Sequence, residues 1–127
     1  MKPGSKTRIF FFLLMSLMAW QSFGKTGVLT LQGLIEDSQC AFNVHAKGGS
    51  HDLMIKNGLG GSSEKACTLH CVKQMGGDYV LVVKGRVYRL DDQVQPEKFA
   101  GEKVKITGSL IDAKTNTLHV ISIEAVK

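Results

Sequence analysis

After residue 27 the chain is dominated by apolar and polar residues in alternation, and that period of two predicts strands. Val28–Asp37 (VLTLQGLIED) sets Leu29, Leu31 and Ile35 on one face, with Gly33 where a side chain would otherwise stand, as at a bulge or tight bend. Tyr79–Val83 (YVLVV) is strongly strand-prone, Lys84-Gly85 reads as a two-residue turn, and Arg86–Leu90 (RVYRL) as the returning strand. Gln95–Gly101 reads as a single helical turn that drops Phe99 into the core. Lys103–Ile111 alternates again, with Val104, Ile106 and Leu110 on one face, and a hairpin loop at Asp112–Asn116 leads into Leu118–Val126. There the phase slips between Leu118/Val120 and Ile121/Ile123, which a bulge near Val120 resolves.

Two stretches break this pattern. From Ser62 to Met75 the period is helical, with Ala66, Leu69, Val72 and Lys73 recurring, a Ser62 or Ser63 cap, Glu64 in the first turn and a stop at Gly76-Gly77. Residues 38–61 are polar and punctuated by glycine, and read as a long loop with a short strand or turn near Asp52–Ile55. A loop of that length in a small domain calls for a function or a tether. The expected architecture is mainly β: a small five-stranded OB-like barrel with a Cys-bearing helix inserted between strands 1 and 2, residues 38–77 forming the insertion. The competing arrangement is an open α+β sheet with that helix across one face.

Ahead of the first strand, Met1–Arg8 is basic, Ile9–Trp20 apolar, and Gln21–Gly24 ends in small residues, the order of a secretory signal. An apolar run of about 12 residues is short for a membrane span, which takes roughly 20. The expectation is a removable signal at 1–24, a single soluble domain at 25–127, and a periplasmic or secreted location, where disulfides are permitted.

Charge narrows the function. The 127 residues hold 16 Lys+Arg and 11 Asp+Glu, a net +5, but Lys2, Lys6 and Arg8 lie in the leader, so 13 face 11 in the remainder, or +2. Such a balance, with only Phe42, Tyr79, Tyr88 and Phe99 as aromatics after the leader, argues against nucleic-acid binding through stacked bases, although Arg86, Arg89, Lys103 and Lys105 form a weak basic patch. The chain carries no G-x-S-x-G elbow, phosphate loop or C-x-x-C pair, so no enzymatic activity is expected.

The chemistry is concentrated elsewhere. Cys40, His45, His51, Cys67, His70 and Cys71 fall within 32 residues, while His119 stands apart on a strand face. One reading is a disulfide staple: Cys40 bonded to Cys67 or Cys71 closes a loop of about 27 or 31 residues and leaves a spare thiol. The other is a metal site. Cys67 and Cys71, at i and i+4 of one helix, share a face and suit a common ion better than a mutual bond. Cys40 and a histidine, His45 before His51, complete a four-ligand set of soft donors suited to zinc or copper(I). Asp37, just before the loop, is placed to cap it or to support a histidine ligand. The expected function is a small exported binding or accessory domain whose Cys/His cluster is mainly a staple with a spare thiol. The alternative is a zinc- or copper-binding exported protein using Cys40, His45, Cys67 and Cys71, and either version leaves an unidentified protein or small ligand as partner.

The segments Gly33–Cys40 (GLIEDSQC), His45, Cys67–Val72 (CTLHCV), Tyr79–Val82, Val87–Leu90, Phe99–Gly101 and Val104–Gly108 together resemble the small exported domains of uncharacterised function found in acidobacterial and related genomes, the DUF5818-like group. The resemblance implies an exported OB-like domain with Cys40, Cys67 and Cys71 as recurrent marks and His45 near them. It implies no activity.

Overall fold

A computed structural model describes residues 27–42, 55–58 and 61–127. The chain begins with strand β1 (Val28–Asp37), followed directly by a one-turn helix, α1 (Ser38–Ala41). The helix α2 (Glu64–Met75) leads to β2 (Tyr79–Val83), β3 (Arg86–Leu90), a 3₁₀ turn at Gln95–Phe99, β4 (Lys103–Asp112) and β5 (Thr117–Ala125). The polar stretch after β1, read as loop from residue 38, thus opens with helix. The rest of that stretch to residue 61, with its expected turn near Asp52–Ile55, lies mostly outside the described residues.

The local causes are visible. Ser63 caps α2, its Oγ accepting from Ala66 N at 3.1 Å, and Gly76 ends it in the left-handed region at φ +73°. The Lys84-Gly85 turn has both residues at positive φ, +48° and +80°, as a tight hairpin with the twist of its strands requires. The phase slip in β5 is a bulge: Thr107 faces Ser122 and Gly108 faces Val120, so Ile121 is the extra residue and points to solvent.

The five strands form a mixed sheet. β1 pairs antiparallel with β2 and β4, β2 with β3, and β4 with β5, while β3 pairs parallel with β5. The order runs round a ring, β1-β2-β3-β5-β4. The parallel seam holds only two register pairs, Arg89↔Thr117 and Leu90↔Leu118. The structure is a mixed five-stranded sheet with an inserted helix, closed into a barrel through that short parallel seam, so the expected OB-like barrel is met by a closure that is thinnest between β3 and β5. The seam is short because β3 has only five residues and just the last two, Arg89 and Leu90, run alongside the start of β5.

β1 serves both halves of the sheet. Val28–Leu34 pair with β4, Leu34–Asp37 with β2, and the changeover falls beside Gly33. A Cβ at Gly33 would overlap the Val82 carbonyl, so the bend requires glycine. Inside the curl lie Ile35, Leu81, Val104, Ile106, Leu118, Val120 and Ile123, with Leu90 and Ala100. Leu81 and Ile106 are wholly buried and sit on opposite strands of that core. Leu81→Ala should therefore lower unfolding stability by about 2–5 kcal/mol in urea titration.

Helix α2 is seated by the turn before β4. Gly101, at φ +72°, brings its backbone against the first turn of α2, where a Cβ would lie 2.5 Å from Lys65 N and 2.8 Å from Glu64 C. The same turn is tied to β1 by Gly101 N to Ile35 O at 2.9 Å and Ile35 N to Glu102 O at 3.0 Å. On the outside, Lys73–Glu97 and Lys65–Glu102 pair α2 with this connection, both too exposed to add much stability. No helix among the described residues is long and apolar enough to cross a membrane.

Candidate metal centre

The site forms where β1 runs into α1 beneath α2. Asp37, the last residue of β1, is fully buried and caps α1, its Oδ1 accepting from Cys40 N at 2.8 Å. That cap turns the chain sharply and sets Cys40 one helical turn beyond the strand end. The short helix is then fastened to the far end of α2: Ser38 N donates to Asp78 O at 2.8 Å, Asp78 N to Ser38 Oγ at 3.0 Å, and Gln39 Nε2 to Met75 O at 2.6 Å. Four residues could not hold a turn of helix unaided. These bonds do so, and they bring Cys40 to the face of α2 that carries Cys67 and Cys71.

The Sγ atoms of Cys40, Cys67 and Cys71 all lie within 4.8 Å of one another. Cys67 and Cys71 are 0% and 1% exposed, Cys40 is partly buried, and all three are free thiols. The expected disulfide staple is thereby overturned, because a bond of about 2.05 Å is made nowhere in a group whose sulfurs stand well apart, between 4.3 and 4.5 Å. Sulfurs that share an ion through bonds of about 2.3 Å sit about 3.8 Å from each other in tetrahedral geometry, a small contraction from this arrangement. The protein therefore contains a buried three-cysteine cluster capable of coordinating a metal ion.

The electrostatics explain why the cluster is chemically unfinished by itself. Burial is the main cause that holds all three thiols protonated, and the Asp37 carboxylate adds to it at each one. Cys71 is pushed up to about 12, with the neighbouring Cys67 contributing. Cys40 is raised still further, its thiol donating to Asp37. The neighbouring Cys71 and Cys40 thiols partly offset the shift at Cys67. A cation among the three sulfurs reverses this balance by supplying the positive charge that the buried thiolates lack.

Other residues singled out in the sequence are placed as follows. His45 and His51 lie outside the described residues. His70 is on α2 but exposed, away from the sulfurs. His119 has a partner that its isolation in the sequence hid: its Nδ1 meets Asp91 Oδ2 at 2.6 Å, and Asp91 Oδ1 accepts from Val120 N at 2.9 Å. Asp37 caps as expected, and among the described residues it also acts on the three thiols. No pattern along the chain marks Thr68, wholly buried beside Cys67 with an Oγ1 that has no hydrogen-bond partner, or the similarly unpartnered hydroxyl of Tyr79. Because a buried hydroxyl without a partner is costly, Tyr79→Phe should leave stability unchanged or raise it by about 1 kcal/mol, read from the denaturation midpoint.

A family of proteins of unknown function, DUF5818, matches residues 71–126, from the last cysteine of the cluster through β5. Cys40 and Cys67 fall outside that match. No curated protein and no solved structure matches the chain.

Proposed function

We propose that this protein is a small metal-binding domain that holds one thiophilic ion, zinc or copper(I), through Cys40, Cys67 and Cys71. The observation that carries the reading is the convergence of three buried, unbonded thiols from two helices within 4.8 Å. Soft thiolates select such ions. Zinc takes four ligands, with His45 offered for the fourth from the segment that follows α1. Copper(I) is satisfied by the three sulfurs. The leader-like residues 1–24 support an exported protein, in which this site serves binding rather than catalysis.

The test is metal analysis and native mass spectrometry on purified full-length protein, with alkylation before and after metal removal. One zinc or copper per chain, with three alkylatable thiols once the metal is stripped, is the expected result. Protein that takes up no metal would overturn the reading.

The thiol shifts also fix two pH dependences. Each proton displaced by the ion makes apparent affinity rise by up to tenfold per pH unit below the thiol range, measurable by competition with a chelator of known affinity. In the metal-free protein the raised thiols act on stability. They stay protonated in the fold after the unfolded chain begins to ionise near its ordinary value of 9.0, so stability is fully present below that pH. It is lost as pH rises toward about 12, the range of Cys71. Metal-loaded protein should lack this alkaline loss, which urea titrations at pH 8 and 10 compare directly.

A further inference from the structure

On the outer surface of the sheet, away from the sulfurs, a second feature has the chemistry of a binding site. The registers Leu34↔Val82 and Leu34↔Lys103 put Val82, Leu34 and Lys103 abreast on three adjacent strands. Around this row a cavity of about 360 Å³ opens, with Gln32 and Lys84 on its rim and Val126 closing one side. Val126 is held there by its N–H, which donates to Lys103 O at 3.0 Å. The floor is aliphatic. The lining contains no aromatic ring, which removes a stacking site for a base or sugar, and no carboxylate, which removes a cation site.

Its charge is of one sign. Neither Lys84 nor Lys103 makes an ion pair among the described residues, whereas Lys65, Lys73 and Lys105 are each matched with a glutamate. Lys84 also occupies a backbone conformation that suits it poorly: at φ +48° in the hairpin turn it stands where Asn or Gly is preferred. The substitution costs local stability and sets an ammonium group at the mouth of the cavity.

We propose that this groove binds a carboxylate-headed aliphatic ligand, a short fatty-acid anion, with the head between Lys84 and Lys103 and the chain over Leu34, Val82 and Val126. The size of the cavity suits a small molecule, and two lysines act as point charges that attract a carboxylate without the fixed fork of arginine. The apolar row supplies affinity by the length of chain it covers.

The experiment is calorimetric titration of the full chain with butanoate, hexanoate and octanoate, and with octanol as the uncharged control. Affinity should rise with chain length by up to about fourfold per methylene, octanol should bind at least tenfold more weakly than octanoate, and K84Q/K103Q should lose at least tenfold for octanoate. Both lysines are on the surface, so the double variant keeps its fold, which its unchanged metal content and thermal midpoint verify. No octanoate binding, binding independent of chain length, or equal affinity in K84Q/K103Q overturns the proposal. None of these outcomes bears on the cysteine cluster.

Discussion

Replacing Cys67 by Ser is expected to abolish stoichiometric metal retention while leaving the sheet folded. A structural zinc site is worth about 10–16 kcal/mol in apparent binding free energy, so one ligand of four carries about 3–4 kcal/mol, or two to three orders of magnitude in affinity. Cys67 is the most severe choice. It sits wholly buried on α2, with the sulfurs of both other cysteines close beside its own. The change in stability follows by linkage: an ion at a thousand times its dissociation constant stabilises the native state by about 4 kcal/mol, and C67S should gain nothing from added metal. His70→Ala is the control, since that imidazole is on the same helix but exposed. Thermal melts with and without one equivalent of zinc give the answer. A variant C67S that still shifts on adding zinc would move the site elsewhere.

Gly101→Ala should damage the fold and the site together. The added methyl group meets the backbone of Lys65 and Glu64, which has no side-chain freedom with which to yield, and the residue must keep φ at +72°. The left-handed conformation costs about 1–2 kcal/mol and the overpacking a further 1–3 kcal/mol, so a total of about 2–5 kcal/mol is expected in urea titration of metal-free protein. Because the relief available is for α2 to move off the turn, Cys67 and Cys71 should move with it relative to Cys40. Metal affinity should then fall by tenfold or more, although no ligand has been touched. An unchanged affinity in a destabilised G101A would mean that α2 is positioned by its other end, through the Ser38–Asp78 and Gln39–Met75 bonds.

Most of the strand plan could be read from the sequence because it depends on neighbours along the chain. The Lys84-Gly85 turn fixes β2 against β3 within a dozen residues, and the phase slip between Val120 and Ile121 marks the bulge directly. The short β3–β5 seam could not be read this way, since parallel pairing of residues far apart leaves no local signature. The cluster shows the same division. The helical spacing of Cys67 and Cys71 places them on one face, and Cys40 follows the first strand. Yet a staple and a metal site ask for the same residues at the same spacing, and only the separation of the sulfurs decides between them. That separation is set by the Asp37 cap and by bonds from α1 to residues some 36 to 40 positions away. His45 enters the ligand set through its place in the sequence and through the family resemblance, not through any contact in the structure, and it is a proposal for the fourth position.

The short seam between β3 and β5 has a consequence for how the molecule breathes. Across it the bonds Arg89 N to Asn116 O at 2.9 Å and Asp91 N to Leu118 O at 3.0 Å stand with little support. β1 and β4, in contrast, share a register of seven consecutive residue pairs. Amide protons exchange with solvent through the least costly opening that frees them. Those of Arg89 and Asp91 should therefore exchange by a local parting of the seam, while those in the middle of the β1–β4 ladder wait for the whole domain to unfold.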